Sequence, residues 1–311
     1  MPTMRIVSLI PSATEILFLL GLDAEIVGVS HECDFPPATL AKRIVVRPRI
    51  PHGLAAGEIE RRVREYVARG ESLYSVDAAA LADLDPDLII TQDLCHVCAA
   101  TPDDLAAALN GLPRMPRILT LDPISLDGVY QDIRRIAEAA GCAPKAAPAI
   151  AALRARVAAV ERAVAGRARP RVLCLEWLDP PYPGGHWVPE MVAHAGGIDV
   201  LGASRVPSKP VGWDAILATL PEVAVIMPCG YDAKKAAEEY AVAQFPPGWA
   251  DLPAVRAGRV YCVDGSAYYS RSGPRLVDGI EILAALLHPA CAEKIVPAPA
   301  GAIAPIARAA S

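Results

Sequence analysis

The sequence predicts an α/β protein made of two lobes, each with a mainly parallel sheet, joined by one long rigid α-helix. Short runs rich in β-branched residues alternate with amphipathic segments, which is typical of βα units. These runs form two series, and an uninterrupted helical pattern separates them in mid-chain. The length of 311 residues agrees with two domains, at about 150 residues per domain.

Each series of strands predicts a Rossmann-like lobe, the first over residues 1–142 and the second over residues 169–290. Parallel strands that are buried on both faces are apolar throughout, as these runs are. The predicted strands are Ile6–Leu9, Ile26–Ser30, Leu88–Thr91 and Ile118–Leu121 in the first lobe, and Val172–Leu175, Val223–Met227 and Val260–Val263 in the second.

The segment between the lobes, residues 143–168, predicts a single helix. Its apolar residues recur at alternating spacings of three and four, which places them on one helix face. They are Ile150, Leu153, Val157, Val160 and Val164. A helix inside one lobe has the same local pattern, but the position between two strand series favours a helix that joins the lobes.

The first residues of the chain predict a folded strand and helix, not a secretory signal. Glu15 interrupts the apolar stretch that a secretory signal needs, and no small-residue cleavage site follows. Ser12 with Glu15 three residues later predicts a capping box, with Ser12 as N-cap of the first helix. We therefore expect a cytoplasmic protein with mostly reduced thiols. The alternative is a periplasmic or cell-surface protein whose signal has been removed.

Composition narrows the function classes. Hydrophobic residues make up 53% and charged residues 21% of the chain, which excludes a disordered protein. The net charge of −5 argues against a nucleic-acid partner, and no stretch reaches the roughly 20 apolar residues of a membrane span. Common dinucleotide, P-loop, zinc-protease and nucleophile-elbow motifs are absent. The Ala/Pro-rich residues 291–311 predict a disordered tail.

Several motifs in a fixed order resemble one family. They are Arg5–Glu15, Val27–Ser30 followed by Asp34–Pro36, Asp85–Ile90, Arg171–Gly185, Ala195–Gly197 and Arg271–Arg275. Together they resemble the class III substrate-binding proteins of cobalamin and ferric-siderophore ABC importers, over about residues 4–289. The resemblance implies a ligand cleft between two α/β lobes, a monomer, and a corrinoid, another tetrapyrrole or a metal chelate as ligand.

The chain departs from this family where transport members dock on the permease. The resemblance implies one acidic residue in each lobe, seven positions before a proline that precedes a strand. Those positions hold Ala79 in the first lobe and Asp214 in the second. One docking carboxylate is therefore missing, which argues against an ABC permease as partner.

Polar and aromatic residues follow the predicted strands. Because ligands of open α/β sheets bind at the carboxyl ends of the strands, we expect these residues to contact the ligand. The candidate contacts are Ser12, His31, Glu32, Arg47 and Gln92 in the first lobe, and Glu176, Trp177, His186, Trp187, Cys229, Tyr268 and Arg271 in the second. Glu32, Gln92 and Glu176 are poor stacking surfaces for a corrin ring. His186 is a candidate axial ligand for a bound metal.

One short loop carries a candidate metal site. Cys95 and Cys98 form a Cys-x-x-Cys pair, and Cys33 and His96 complete a possible ligand set. Thiolate and imidazole ligands suit zinc, iron or an iron–sulfur cluster. The alternatives are thiols that only pack in a loop, direct ligand contact, and redox chemistry.

Three functions remain open from the sequence. The first is a binding protein that closes on a corrinoid, another tetrapyrrole or a metal chelate for cytosolic storage, delivery or sensing. The second is an enzyme that uses the same fold with a Cys/His/Glu metal or thiol site. The third is an ABC importer receptor whose signal peptide has been removed.

Overall fold

Two α/β units, each with a six-stranded sheet, make up this computed structural model. It describes residues 4–306 except 52, 53, 55, 93–101, 111 and 113. The first unit contains the chain up to Pro123 together with Asp127–Ile150, and the second contains Ile124–Leu126 and the chain from Ala151 onward. The predicted two-lobe fold with mainly parallel sheets is confirmed.

The first unit follows a βα pattern. Its elements are β1 Ile6–Ser8, α1 Pro11–Leu19, β2 Ile26–Ser30, β3 Arg43–Pro48, α2 Ala56–Ala68, β4 Tyr74–Val76, α3 Ala78–Leu84, β5 Leu88–Gln92, α4 Pro102–Leu109, β6 Arg117–Leu121, α5 Leu126–Ala139 and α6 Ala146–Val164. The strand order is β4-β3-β2-β1-β5-β6. Only β4 is antiparallel to its neighbour. The order reverses at β1, where open α/β sheets bind ligands.

The main part of the second unit begins at Ala151, inside α6, so only the first turn of that helix belongs to the first unit. The further elements of the second unit are β7 Arg171–Leu178, β8 Pro181–Pro183, α7 Val188–His194, β9 Ile198–Asp199, α8 Trp213–Ala218, β10 Val223–Ile226, α9 Ala233–Val242, α10 Pro253–Arg256, β11 Val260–Val263, α11 Gly265–Tyr268, α12 Leu276–Leu287 and β12 Ile303–Ala304. Strands β12-β11-β10-β7-β8 form the sheet in that order, and β9 also pairs with β7. The strands β9, β7, β10 and β11 run parallel, whereas β8 and β12 are antiparallel edges.

Apolar side chains explain the sheet cores. In the first unit, Val7 and Ile89 on the strands pack with Leu81 and Leu105 on the helices. In the second, Leu173 and Ile226 belong to a cluster whose helical side includes Ile216 and Ala236. These strand residues are all fully buried, as expected for parallel strands covered on both faces.

The turn from β1 into α1 is held by a buried polar network. The Thr14 hydroxyl donates to Ser8 Oγ at 2.8 Å and lies 3.1 Å from the Cys33 sulfur. The predicted N-cap at Ser12 is wrong, because the helix begins at Pro11 and Ile10 occupies the N-cap position. Proline is favoured at the first helical position because its fixed φ suits the helix and its missing N–H would be unpaired there.

The unit boundary falls inside α6, the predicted connecting helix. Its apolar stripe, from Ile150 to Val164, is buried as the spacing predicts. On the second-unit side, Arg156 Nε donates to Glu281 Oε1 at 3.0 Å and its Nη2 pairs with Asp278. The α-helix, Ala146–Val164, is shorter than the predicted segment 143–168, and a 3-10 turn over Ala143–Lys145 precedes it.

The tail differs from its prediction as a disordered segment. Ile303–Ala304 pairs antiparallel with β11, and Cys291, Ile295 and Ala302 are buried. The tail is ordered as far as it is described, to Ile306. Its strand β12 pairs with β11 and so covers backbone groups that an open edge would leave unpaired. Within the described residues, no helix is both long enough and apolar enough to cross a membrane.

Candidate functional site

Glu176 lies at the carboxyl edge of the second sheet. It follows Leu175, which pairs with Ile226 at the last position of β10. Its backbone oxygen accepts from Cys229 N at 3.1 Å, and its side-chain Oε1 accepts from Gly185 N at 2.9 Å. The strand register and the Gly185 amide therefore fix this carboxyl group where parallel sheets expose their ligand sites.

An aromatic pair stands beside Glu176. The rings of Trp177 and Tyr231 are 5.5 Å apart, and Lys235 Nζ lies 3.9 Å from the centre of the Tyr231 ring. Trp177 is half-buried, so part of its ring faces solvent, and the neighbouring Cys229 is exposed. We call Glu176, Trp177, Cys229 and Tyr231 the β7–β10 edge. It combines an apolar plane, a carboxyl group and a thiol.

Burial changes the acid–base behaviour of this edge. Desolvation raises the pKa of Glu176 to about 7, against a lowering contribution from the Gly185 amide, and the nearby Asp199 raises it further. Asp199 is itself buried, and the loss of hydration raises its pKa although Leu201 N and Gly202 N donate to it. Burial also raises the pKa of Tyr231 to about 12. Glu176 therefore titrates near neutrality, while Tyr231 stays protonated.

His186 follows Gly185, whose amide bonds to Glu176. Strand β8 turns back antiparallel to β7, Gly184 N donates to Cys174 O, and His186 N then donates to Val206 O at 2.8 Å. His186 has a positive φ of 48°, which is uncommon for a side chain other than glycine. Its Nε2 is buried without a hydrogen-bond partner among the described residues, and burial lowers its pKa. The imidazole is therefore neutral and keeps a donor or acceptor to offer.

Trp187, the next predicted contact, belongs to the interior. It is 3% exposed, and its indole N–H donates to the Tyr269 backbone oxygen at 2.6 Å. This places Trp187 under the loop that carries His186. Its predicted role as a ligand contact stays a prediction.

Tyr268 and Arg271 follow the neighbouring strand β11. Tyr268 lies in α11, and the Arg275 guanidinium is 5.7 Å from the centre of its ring. Arg275 and Arg271 both lower the pKa of Asp264, although burial, which raises it, is the larger effect. The two arginines thus already face a carboxylate of their own unit.

The first unit places its predicted contacts at the same end of its sheet. His31 and Glu32 follow β2, with His31 Nε2 and Glu32 Oε1 3.1 Å apart. Ser12 is buried in the first turn of α1, and Gln92 is the last residue of β5. Arg47 lies exposed within β3, opposite Ser75 of β4. Topology thus gathers these residues along the carboxyl ends of the strands.

The predicted metal site is only partly described. Cys95, His96 and Cys98 lie outside the described residues. Cys33 is buried, close to the Thr14 hydroxyl and 3.9 Å from the Ser8 backbone oxygen. Among the described residues, no group of three or more His, Cys, Asp or Glu side chains could hold a metal ion. The six described cysteines form no disulfide bond, and the zinc or iron site stays a prediction.

The list of candidate contacts omitted two residues at the edge. Tyr231 packs against the predicted contact Trp177, and Lys235 lies over the Tyr231 ring. The Pro-Cys-Gly-Tyr loop could have drawn attention to Tyr231, because it follows a strand. Asp199, whose charge acts on Glu176 from near the start of β7, gave no signal because its position depends on strand register.

The sequence matches the family profile described as "Periplasmic binding protein" over residues 6–267. The chain belongs to the periplasmic binding protein family. Its similarity to substrate-binding proteins of ABC transporters agrees with the predicted class III family. A ligand-binding role is therefore established at the level of the family.

Relatives extend across most of the chain. An uncharacterized ABC transporter substrate-binding lipoprotein, YvrC of Bacillus subtilis, is 24% identical over 294 residues, covering 92% of this chain and 80% of the relative. The vitamin B12-binding protein of Yersinia pestis is 27% identical over 225 residues, covering 71% of this chain and 69% of the relative.

Solved structures agree with the fold. The periplasmic heme-binding protein RhuT from Roseiflexus, in its apo form, gives a TM-score of 0.65 at 25% identity, covering 93% of this chain and 99% of that one. The periplasmic vitamin B12-binding protein BtuF of Vibrio cholerae gives 0.64 at 23% identity, covering 93% and 98%.

The two positions compared with permease docking sites have matching placements in the fold. Ala79 is the second residue of α3 and Asp214 the second residue of α8, and both are exposed. The nearby Asp77 caps α3, because its carboxylate accepts from Ala80 N at 2.9 Å. The structure therefore gives the two units equivalent short helices that differ in charge at this point.

Proposed function

We propose that this protein binds a corrinoid, another tetrapyrrole or a metal chelate, with the β7–β10 edge as part of its contact surface. The observation that carries the proposal is the half-buried Trp177 ring, backed by Tyr231 at 5.5 Å. A supported aromatic plane suits a large conjugated ligand, because an offset-stacked pair gains about 0.5–1.5 kcal/mol beyond the burial of its surface.

Polar groups beside this plane suit the periphery and the metal of such a ligand. Glu176 offers a carboxyl group and Cys229 an exposed thiol, while His186 has a neutral imidazole with a buried, unpartnered Nε2 among the described residues. Apolar walls with a few placed polar groups are typical of small-molecule sites. The names of the relatives, which include vitamin B12-binding and heme-binding proteins, support the same ligand class.

Titration with cobinamide and with haemin, followed by absorbance and calorimetry, tests the proposal. We expect at least one of them to bind with a Kd of about 1 μM or tighter, which is about 8 kcal/mol. Trp177→Ala should weaken that affinity about tenfold. Trp213→Ala is the matched control, because Trp213 packs against Phe245 and Trp249 in another aromatic cluster of the same unit.

We also propose storage, delivery or sensing in a reducing compartment as its cellular role. The absence of a disulfide among the six described cysteines supports this, because oxidising compartments favour paired cysteines. Cell fractionation of the native protein, followed by labelling of free thiols, tests the compartment. Recovery from the periplasm or the cell surface would instead support the role of an importer receptor.

The missing carboxylate at Ala79 supports a role without a permease. We expect no permease to co-purify with the wild-type protein, because the single exposed carboxylate of Asp214 provides a weak ion pair, typically below about 1 kcal/mol. Ala79→Glu, which supplies the second carboxylate, is the comparison variant. Retention of a permease by the wild-type protein would overturn this part of the proposal.

A further inference from the structure

Glu176 is the acidic group at the β7–β10 edge whose charge is not balanced by a cation. In the described part of the chain, the influences on its pKa are burial, the Gly185 amide and Asp199. No lysine, arginine or protonated histidine is among them. Asp199 in β9 adds negative charge, and the buried Cys174 thiol two residues earlier in β7 is neutral because burial raises its pKa well above the usual value.

Three described cations at this end of the unit face groups other than Glu176. Arg271 and Arg275 lower the pKa of Asp264, and Lys235 lies over the Tyr231 ring. The hydrogen bond from Gly185 fixes one carboxyl oxygen of Glu176, whereas the group itself remains only partly buried at the edge. The second oxygen is therefore available to a ligand. A group placed against it gains most when it donates hydrogen bonds or carries positive charge.

We infer that Glu176 selects the chemical class of the ligand: it favours a macrocycle whose periphery presents amide N–H donors over one that presents carboxylates. This deepens the proposed function and rests on it. A peripheral carboxylate at this position would face the Glu176 carboxylate, and like charges disfavour binding by amounts that specificity can exploit. A peripheral amide would satisfy a carboxyl oxygen that is otherwise poorly solvated.

Binding of an amide-bearing ligand to Glu176 should also release protons. With a pKa of about 7, Glu176 is partly protonated at neutral pH in the free protein. An amide donor is best accepted by the carboxylate form, so binding shifts the group toward that form and frees protons.

Two matched ligand pairs test this inference. Cobinamide and cobyrinic acid share the corrin ring and differ in peripheral amides against carboxylates, and haemin bis-amide and haemin differ in the same way on a porphyrin. Whichever macrocycle binds, the amide member should bind at least about tenfold more tightly, which is about 1.4 kcal/mol. Glu176→Gln, which keeps an oxygen for the Gly185 amide, should reduce this preference to about threefold or less and abolish proton release.

The control variant is Glu238→Gln, which removes the same charge from the exposed face of α9, where Glu238 is 64% exposed. It should keep both the preference and the proton release, measured by calorimetry in buffers of different ionisation enthalpy. Equal affinity for amide and carboxylate members, or an unchanged preference in Glu176→Gln, overturns the inference while the proposed function stands. Failure of all four ligands to bind overturns the corrinoid and tetrapyrrole form of the proposed function and the inference with it.

Discussion

The indole N–H of Trp187 donates to the backbone oxygen of Tyr269 across 2.6 Å in the interior of the second unit. This bond joins the start of α7 to the segment after α11. Tyr269 is in turn fixed by its hydroxyl, which donates to the Gly279 backbone oxygen in α12 at 3.2 Å. The loop that carries His186 therefore rests on a chain of buried hydrogen bonds, not on local propensity.

Trp187→Phe should reduce the free energy of unfolding by about 1–3 kcal/mol, because the buried Tyr269 oxygen loses its donor. Guanidinium denaturation provides the measurement. Trp249→Phe is the control, since its indole bonds to the part-buried Tyr240 hydroxyl, which can rotate to another partner. A loss no larger in Trp187→Phe than in Trp249→Phe would contradict the importance of the buried bond.

Arg156→Ala should destabilise the protein by about 3–5 kcal/mol, because it leaves a buried carboxylate without its partner. The Glu281 side chain is only 5% exposed, and Arg156 holds it with Asp278. Arg162→Ala removes an exposed arginine from the same helix and should change stability by less than about 0.5 kcal/mol. Equal effects of the two variants would show that the Arg156 cluster adds nothing.

The stability of the wild-type protein should fall relative to Glu176→Gln as the pH rises. The folded pKa of Glu176, about 7, exceeds its model-peptide value of 4.5, so the folded state binds more protons. Protonation of Glu176 therefore stabilises the folded state fully below pH 4.5, and this stabilisation is lost as the pH rises through 7. The stabilisation lost over this range is about 3 kcal/mol.

Denaturation of both proteins at several pH values between about 4 and 8 measures this difference. The Glu238→Gln variant, which removes an exposed carboxylate, is measured alongside as the control. A difference between wild type and Glu176→Gln that stays constant over this range would contradict the burial of the Glu176 carboxyl group.

Cys229 should be the most reactive of the described cysteines. It is exposed, whereas Cys33, Cys174, Cys262 and Cys291 are buried and Cys142 is half-buried. Burial also raises the pKa of Cys174 and Cys262, the latter to about 12, so little thiolate forms there. Iodoacetamide labelling with peptide mapping reads each position separately. Faster labelling of any buried cysteine than of Cys229 in the folded protein would contradict the structure.

Sequence patterns predicted the central strands and long helices well. Continuous apolar runs marked β2 and β11 to the residue, and the spacing of Ile150 to Val164 marked α6. The strands β4, β8, β9 and β12 were missed because each has only two or three residues, so pairing with a neighbour defines them. Strand β3 was missed although Ile44, Val45 and Val46 are all β-branched. Pro11 decided the start of α1 against the capping pattern of Ser12, since proline favours the first helical position.

The candidate site was predictable in position more than in composition. Strand ends predicted where Glu176, Trp177 and Cys229 would lie, because parallel strands present their carboxyl ends at one edge. They did not predict the influence of Asp199 on Glu176, which depends on the register of β9 with β7, or the burial of Trp187. The reversal of β8 places His186 directly after Gly185, whose amide bonds to Glu176.

Calorimetric titration of the wild-type protein with cobinamide and haemin, repeated with Trp177→Ala and Trp213→Ala, tests the central claim most directly. We expect at least one ligand to bind at about 1 μM or tighter, with an affinity loss of about tenfold in Trp177→Ala and near wild-type affinity in Trp213→Ala. If neither ligand binds the wild-type protein at about 100 μM, the binding free energy is weaker than about 5.5 kcal/mol for both, and the claim is contradicted.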